Sequence, residues 1–127
     1  MTCMAPIVPI ACCVCVLTPK DGSLICPLCR RELCARPLGA YRADPAGTPK
    51  GGMIVIQEIF GVNQHIRKVC DDFAKEGYVA VAPALFDRTQ RDYECGYTPP
   101  EIEKSRTFVA KPDWDAMMRD TDAAIRE

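Results

Sequence analysis

The chain has 127 residues, of which 48% are hydrophobic and 26% charged, a balance that fits about one folded domain and excludes a largely disordered chain. A formal net charge of -1 removes the long-range attraction to nucleic-acid phosphates or an anionic membrane surface, so neither nucleic acid nor membrane is expected as a partner. The longest apolar stretch, Met4 to Leu17, is interrupted by Pro6 and Pro9 and has no basic segment ahead of it. It is also shorter than the roughly 20 residues that cross a bilayer, so neither a membrane span nor a signal peptide is expected.

The cysteines are unevenly placed: Cys3, Cys12, Cys13, Cys15, Cys26, Cys29 and Cys34 come early, and only Cys70 and Cys95 follow. Without an export signal the expected compartment is the cytoplasm, where thiols stay reduced, and the cysteines do not read as a disulfide framework. Cys13-x-Cys15 and Cys26-x-x-Cys29 supply four thiolates at paired spacing, enough to close a tetrahedron around zinc. Only the second pair has the usual gap, and the first lies in an apolar, β-rich segment, so no metal is expected. Residues 1–35 read as a cysteine-rich extension, disordered or adventitious, ahead of a domain over 36–127.

From Leu38 the pattern becomes regular. Leu38 to Ala43 predicts a short extended segment, and the turn-rich residues 44–52 predict a hairpin or a strand connection. Met53-Ile54-Val55-Ile56-Gln57 is a continuous, largely β-branched run that predicts a strand buried on both faces, as in a parallel sheet. A helix follows: Asn63 can cap it, Ile66, Val69, Cys70, Phe73 and Ala74 recur on one face, and Gly77 stands where a left-handed cap is wanted. Tyr78 to Ala82 predicts a second buried strand ended by Pro83, giving parallel strands joined by a right-handed crossover.

Thr98 and Glu101 form a capping box, with Pro99 at the tolerated first position, for a helix over Pro99 to Val109. A last helix starts near Asp113. Trp114, Met117, Met118, Thr121 and Ile125 share one of its faces, and Asp115, Arg119, Asp122 and Arg126 the opposite one. The fold class is therefore α/β. Two or three strands with three helices leave sheet surface and strand edges uncovered, so the fold is expected to be incomplete.

The motifs Gln57-Glu58-Ile59-Phe60-Gly61-Val62-Asn63, His65-Ile66-Arg67, Glu76-Gly77-Tyr78-Val79-Ala80-Val81-Ala82-Pro83 and Leu85-Phe86-Asp87-Arg88 resemble the dienelactone hydrolase family. The resemblance runs from residue 38 to 127. It implies an α/β-hydrolase fold, here the amino-terminal strands and helices of a mainly parallel sheet. It also implies hydrolysis of a small-molecule enol-lactone or ester by a Cys, His and Asp triad, with no cofactor. By the same resemblance Glu58 is the carboxylate that contacts the nucleophilic thiol, the Ile59 backbone N–H is an oxyanion-hole donor, and Arg88 binds the substrate carboxylate.

On the residues alone, Glu58 also reads as a strand-end carboxylate bonded to backbone N–H groups or paired with Arg88. Arg88 reads equally as a solvated loop charge. His65, in the first turn of a helix, reads as structural. The nucleophile elbow of an α/β hydrolase has the form G-x-S/C-x-G. No Ser or Cys within the 127 residues has Gly at both flanking places: Cys95 has Tyr93 and Tyr97 there. The expected function is thus a hydrolase chain that stops before its nucleophile and is inactive alone. The alternative is a non-catalytic small α/β or zinc-binding interaction module.

Overall fold

The computed structural model describes residues 38–126 and, ahead of them, the backbone of three short strands, β1 (Val8–Ile10), β2 (Val16–Leu17) and β3 (Leu24–Ile25). The zinc reading of Cys13, Cys15, Cys26 and Cys29 falls outside the described residues. Then follow β4 (Leu38–Ala43), β5 (Gly52–Ile54), α1 (Gln64–Lys75), β6 (Val79–Pro83), α2 (Pro99–Val109) and α3 (Trp114–Ile125).

The main sheet has the order β1-β4-β6-β5, and β2 pairs with β3 separately. Only β5 and β6 are parallel; β4 runs antiparallel to both β1 and β6. Over these residues the sheet is therefore mixed, where the expectation was mainly parallel. The α1 crossover is long enough to bring β6 back parallel to β5, whereas the connection from β4 to β5 is too short to return the chain in the same direction and leaves the two strands antiparallel. That connection is also no hairpin, because β6 lies between the two strands it joins.

Strand β5 corrects a second expectation. Its ladder covers Gly52–Ile54 and gains one more bond, from Val55 N to Val81 O at 2.9 Å. Among the described strands it lies at the sheet edge; Met53 and Val55 pack on the α1 side and Ile54 on the opposite side, so both faces are covered but only in part, and Ile56 beyond it is 52% exposed.

Helix α1 forms as its spacing predicts. Asn63 Oδ1 accepts from Ile66 N at 3.2 Å, and Gly77 ends the helix at φ 96°. Its apolar side meets one sheet face in a core of Tyr41, Ala43, Val62, Ile66, Cys70, Ala80 and Ala82. The period of two along β6 sends Ala80 and Ala82 to that face and Val81 to the other.

On that other face Val81 and Ala40 meet Ala123 and Ala124 of α3. The buried side of α3 is Ala116, Asp120, Ala123 and Ala124, while Trp114 and Met118 are 68% and 67% exposed. The larger apolar face read from the sequence therefore points to solvent. Three alanines let the helix backbone approach the sheet more closely than Trp or Met would, and Asp120 among them is tolerated because it is paired.

Candidate active site

The chain leaves β5 into a tight turn from Glu58 to Gly61, closed by Gly61 N to Glu58 O at 3.3 Å. That bond engages Gly61 N–H and Glu58 C=O and does not use the N–H of Ile59, the second residue of the turn. Glu58 itself is exposed at this corner, and Ile59 is half-buried.

Contacts with residues 93–97 fix the turn. Gly61 has φ 78°, and a Cβ there would stand 1.9 Å from Tyr93 O, so the backbone of residues 93–95 packs directly on it. Cys95 N donates to Phe60 O at 3.2 Å, Asn63 Nδ2 donates to Tyr97 Oη at 3.2 Å, and the Tyr97 ring meets Phe60 edge-on at 4.6 Å.

The second loop follows β6. Leu85 N donates to the side-chain oxygen of Gln57 at 2.9 Å, so one amide ties this loop to the residue just before Glu58. Asp87 accepts from Gly39 N at 2.8 Å and from Asp92 N at 3.0 Å, which pins the loop to β4. Arg88 extends from the same loop with its side chain 37% exposed. It meets Asp120 of α3 in a bidentate pair, Nε to Oδ2 at 2.7 Å and Nη2 to Oδ1 at 2.5 Å, and Asp120 is fully buried.

Glu58, Ile59 and Arg88 are thus all carried at the C-terminal ends of the parallel neighbours β5 and β6, where open α/β sheets hold their ligands. The structure does not pair Arg88 with Glu58; among the described residues it pairs with Asp120. Gln57 and Asp120 are the two residues that sequence reasoning passed over. The signal for Asp120 was its position four after Ala116 and three before Ala123, on a face of small residues. Gln57 had no such signal, because its partner Leu85 lies 28 residues away.

Of the remaining reactive side chains, Cys70 and Cys95 are engaged within the fold. Cys70 is fully buried, and desolvation together with the Asp71 carboxylate pushes its thiol up to about 11, so it stays protonated and unreactive at neutral pH. Cys95 Sγ lies 3.0 Å from Ser105 Oγ, which also bonds Tyr93 Oη at 3.0 Å, a polar knot that joins α2 to the loop. His65 is exposed near the start of α1. Among the described residues no group of His, Cys, Asp or Glu is arranged to hold a metal ion.

The architecture is that of an incomplete α/β fold with its ligand end at β5 and β6. The description "Dienelactone hydrolase family" matches residues 38–127, and the chain belongs to that family. A provisionally named carboxymethylenebutenolidase from Synechocystis sp. is 44% identical over 89 residues, which cover 69% of this chain and 36% of that protein. Another so named, from Methylorubrum extorquens, is 46% identical over 88 residues, covering 68% of this chain and 29% of that one. A provisionally named dienelactone hydrolase of known structure from Klebsiella pneumoniae superposes with a TM-score of 0.56 at 36% identity, covering 69% of this chain and 36% of that chain. The 127 residues therefore span about a third of the length of these relatives.

Proposed function

We propose that this chain supplies the oxyanion-hole donor and the substrate anchor of a hydrolase acting on ester or enol-lactone bonds of a small, carboxylate-bearing molecule. Its nucleophile, base and acid would lie outside these 127 residues, and the chain alone would be inactive. The observation that carries this reading is the Gln57 side chain, which joins the loop bearing Glu58 and Ile59 to the loop leading to Arg88.

In this reading the Ile59 N–H is aimed at the oxygen on which charge develops as the carbonyl is attacked. A fixed backbone donor stabilises that charge without reorganising. The Arg88 guanidinium holds the substrate carboxylate by charge-assisted bonds. The Glu58 carboxylate stands beside the incoming thiol and influences when the thiolate forms.

The test continues the full chain into the carboxy-terminal part of the Synechocystis relative and measures hydrolysis of an anionic enol-lactone and a neutral ester. The fusion should hydrolyse both, and the 127-residue chain neither. Arg88→Ala takes the guanidinium from the buried Asp120 carboxylate and so lowers stability; in the folded enzyme it should raise KM for the anionic lactone by about one to two decades, the equivalent of about 1.5–3 kcal/mol, and leave KM for the neutral ester almost unchanged. Glu58→Ala should change kcat and its pH profile instead. Parent kinetics in both variants of an active fusion would remove the site assignment and leave only the fold.

A further inference from the structure

We infer that Asp120 is a positioning residue for substrate recognition: its buried carboxylate holds the Arg88 guanidinium in the orientation that receives the substrate's carboxylate. The inference rests on the reading of Arg88 given above, and its test separates the two.

Asp120 is fully buried, on the face of α3 that otherwise presents Ala116, Ala123 and Ala124 to the sheet. A lone carboxylate there would be strongly unfavourable, and even a paired one is seldom more stabilising than an apolar side chain of the same size. Stability by itself therefore gives little reason for Asp at this position.

The geometry gives a better one. Arg88 stands five residues beyond the end of β6, on a loop whose backbone is fixed by Gln57 and by Asp87. Those bonds hold the main chain and do not reach the guanidinium. Asp120 directs it: both carboxylate oxygens are engaged, one by Nε and one by Nη2, and two parallel bonds fix the plane of the guanidinium as well as its place. An arginine already immobilised loses less side-chain freedom when a substrate arrives, which favours binding. The small alanines around Asp120 bring α3 close enough for so short a side chain to reach the loop.

The active fusion described above is the vehicle for the test. Asp120→Asn retains the shape of the side chain but sets an amide N–H₂ against a guanidinium N–H, so the fork cannot form. KM for the anionic lactone should rise about tenfold, KM for the neutral ester should move less than twofold, and kcat for both should stay within twofold. A role confined to stability would move both substrates alike, or neither.

Asp120→Leu provides the second variant, because an apolar side chain suits that buried face and still releases Arg88; the same tenfold split is expected. If Arg88→Ala produces the split while both folded Asp120 variants do not, the positioning role is wrong and the anchoring role of Arg88 stands. If Arg88→Ala produces no split, the anchoring role fails and the positioning role falls with it.

Discussion

Cys70 and Tyr41 lie on the same side of the sheet, and burial moves both in one direction. Desolvation and the Asp71 carboxylate push the Cys70 thiol up to about 11 from an ordinary value near 9. Desolvation and the 2.8 Å bond to Asp71 push the Tyr41 hydroxyl up to about 12. A raised value means that the folded state holds its proton more tightly than the unfolded chain does. The stabilisation is complete below the unfolded value and is lost as pH rises through the folded one. For Cys70 that window runs from about 9 to about 11, with a slope of at most about 1.4 kcal/mol per pH unit. The difference in denaturant stability between wild type and Cys70→Ala should be constant below pH 9 and shrink above it. A difference that stays flat through that window would contradict the buried, protonated thiol. At this scale the sequence revealed Cys70 as a packing residue through its place on the apolar face of a helix. It did not reveal Gln57 or Asp120, whose partners lie 28 and 32 residues away and so leave no local pattern.

Among the elements, the locally determined ones were legible. Helix α2 begins where its capping box and Pro99 place it, with Thr98 as cap and Glu101 closing the box. Helix α1 follows its apolar spacing and its caps. Strand β5 and helix α3 were read less well, because composition alone cannot tell an edge strand from a central one. Nor can it show that a helix will present alanine rather than tryptophan to its sheet. The turn between β5 and α1 combines both kinds of information. Gly61 ends a recognisable motif, yet what demands glycine there is the distant backbone of Tyr93. Gly61→Ala adds a left-handed strain of roughly 1–2 kcal/mol and a main-chain clash on top of it. The variant should unfold at clearly lower denaturant than wild type, and Gly47→Ala, where nothing lies within 4 Å, should not. Equal midpoints for the two would mean that residues 93–95 do not pack on the turn.

At the level of the whole molecule the α/β class was legible from the succession of strand, helix and strand, but the pairing order was not. That order places β5 at an edge, so its outer backbone groups form no ladder within the described sheet, and α3 turns Trp114, Met118 and Ile125 outward at 68%, 67% and 64% exposure. An open edge beside an apolar helix face favours association between chains. The isolated protein should self-associate with rising concentration in light scattering, and Met118→Lys should reduce this. A wild type that remains monomeric across the concentration range would count against the open surface. Trp114 is the sole tryptophan, and it stands on the face left uncovered. The molecule therefore carries its own optical gauge: a polypeptide that settles on the Trp114 side of α3 moves this one indole out of water, and a blue shift in its emission would report the event without a label.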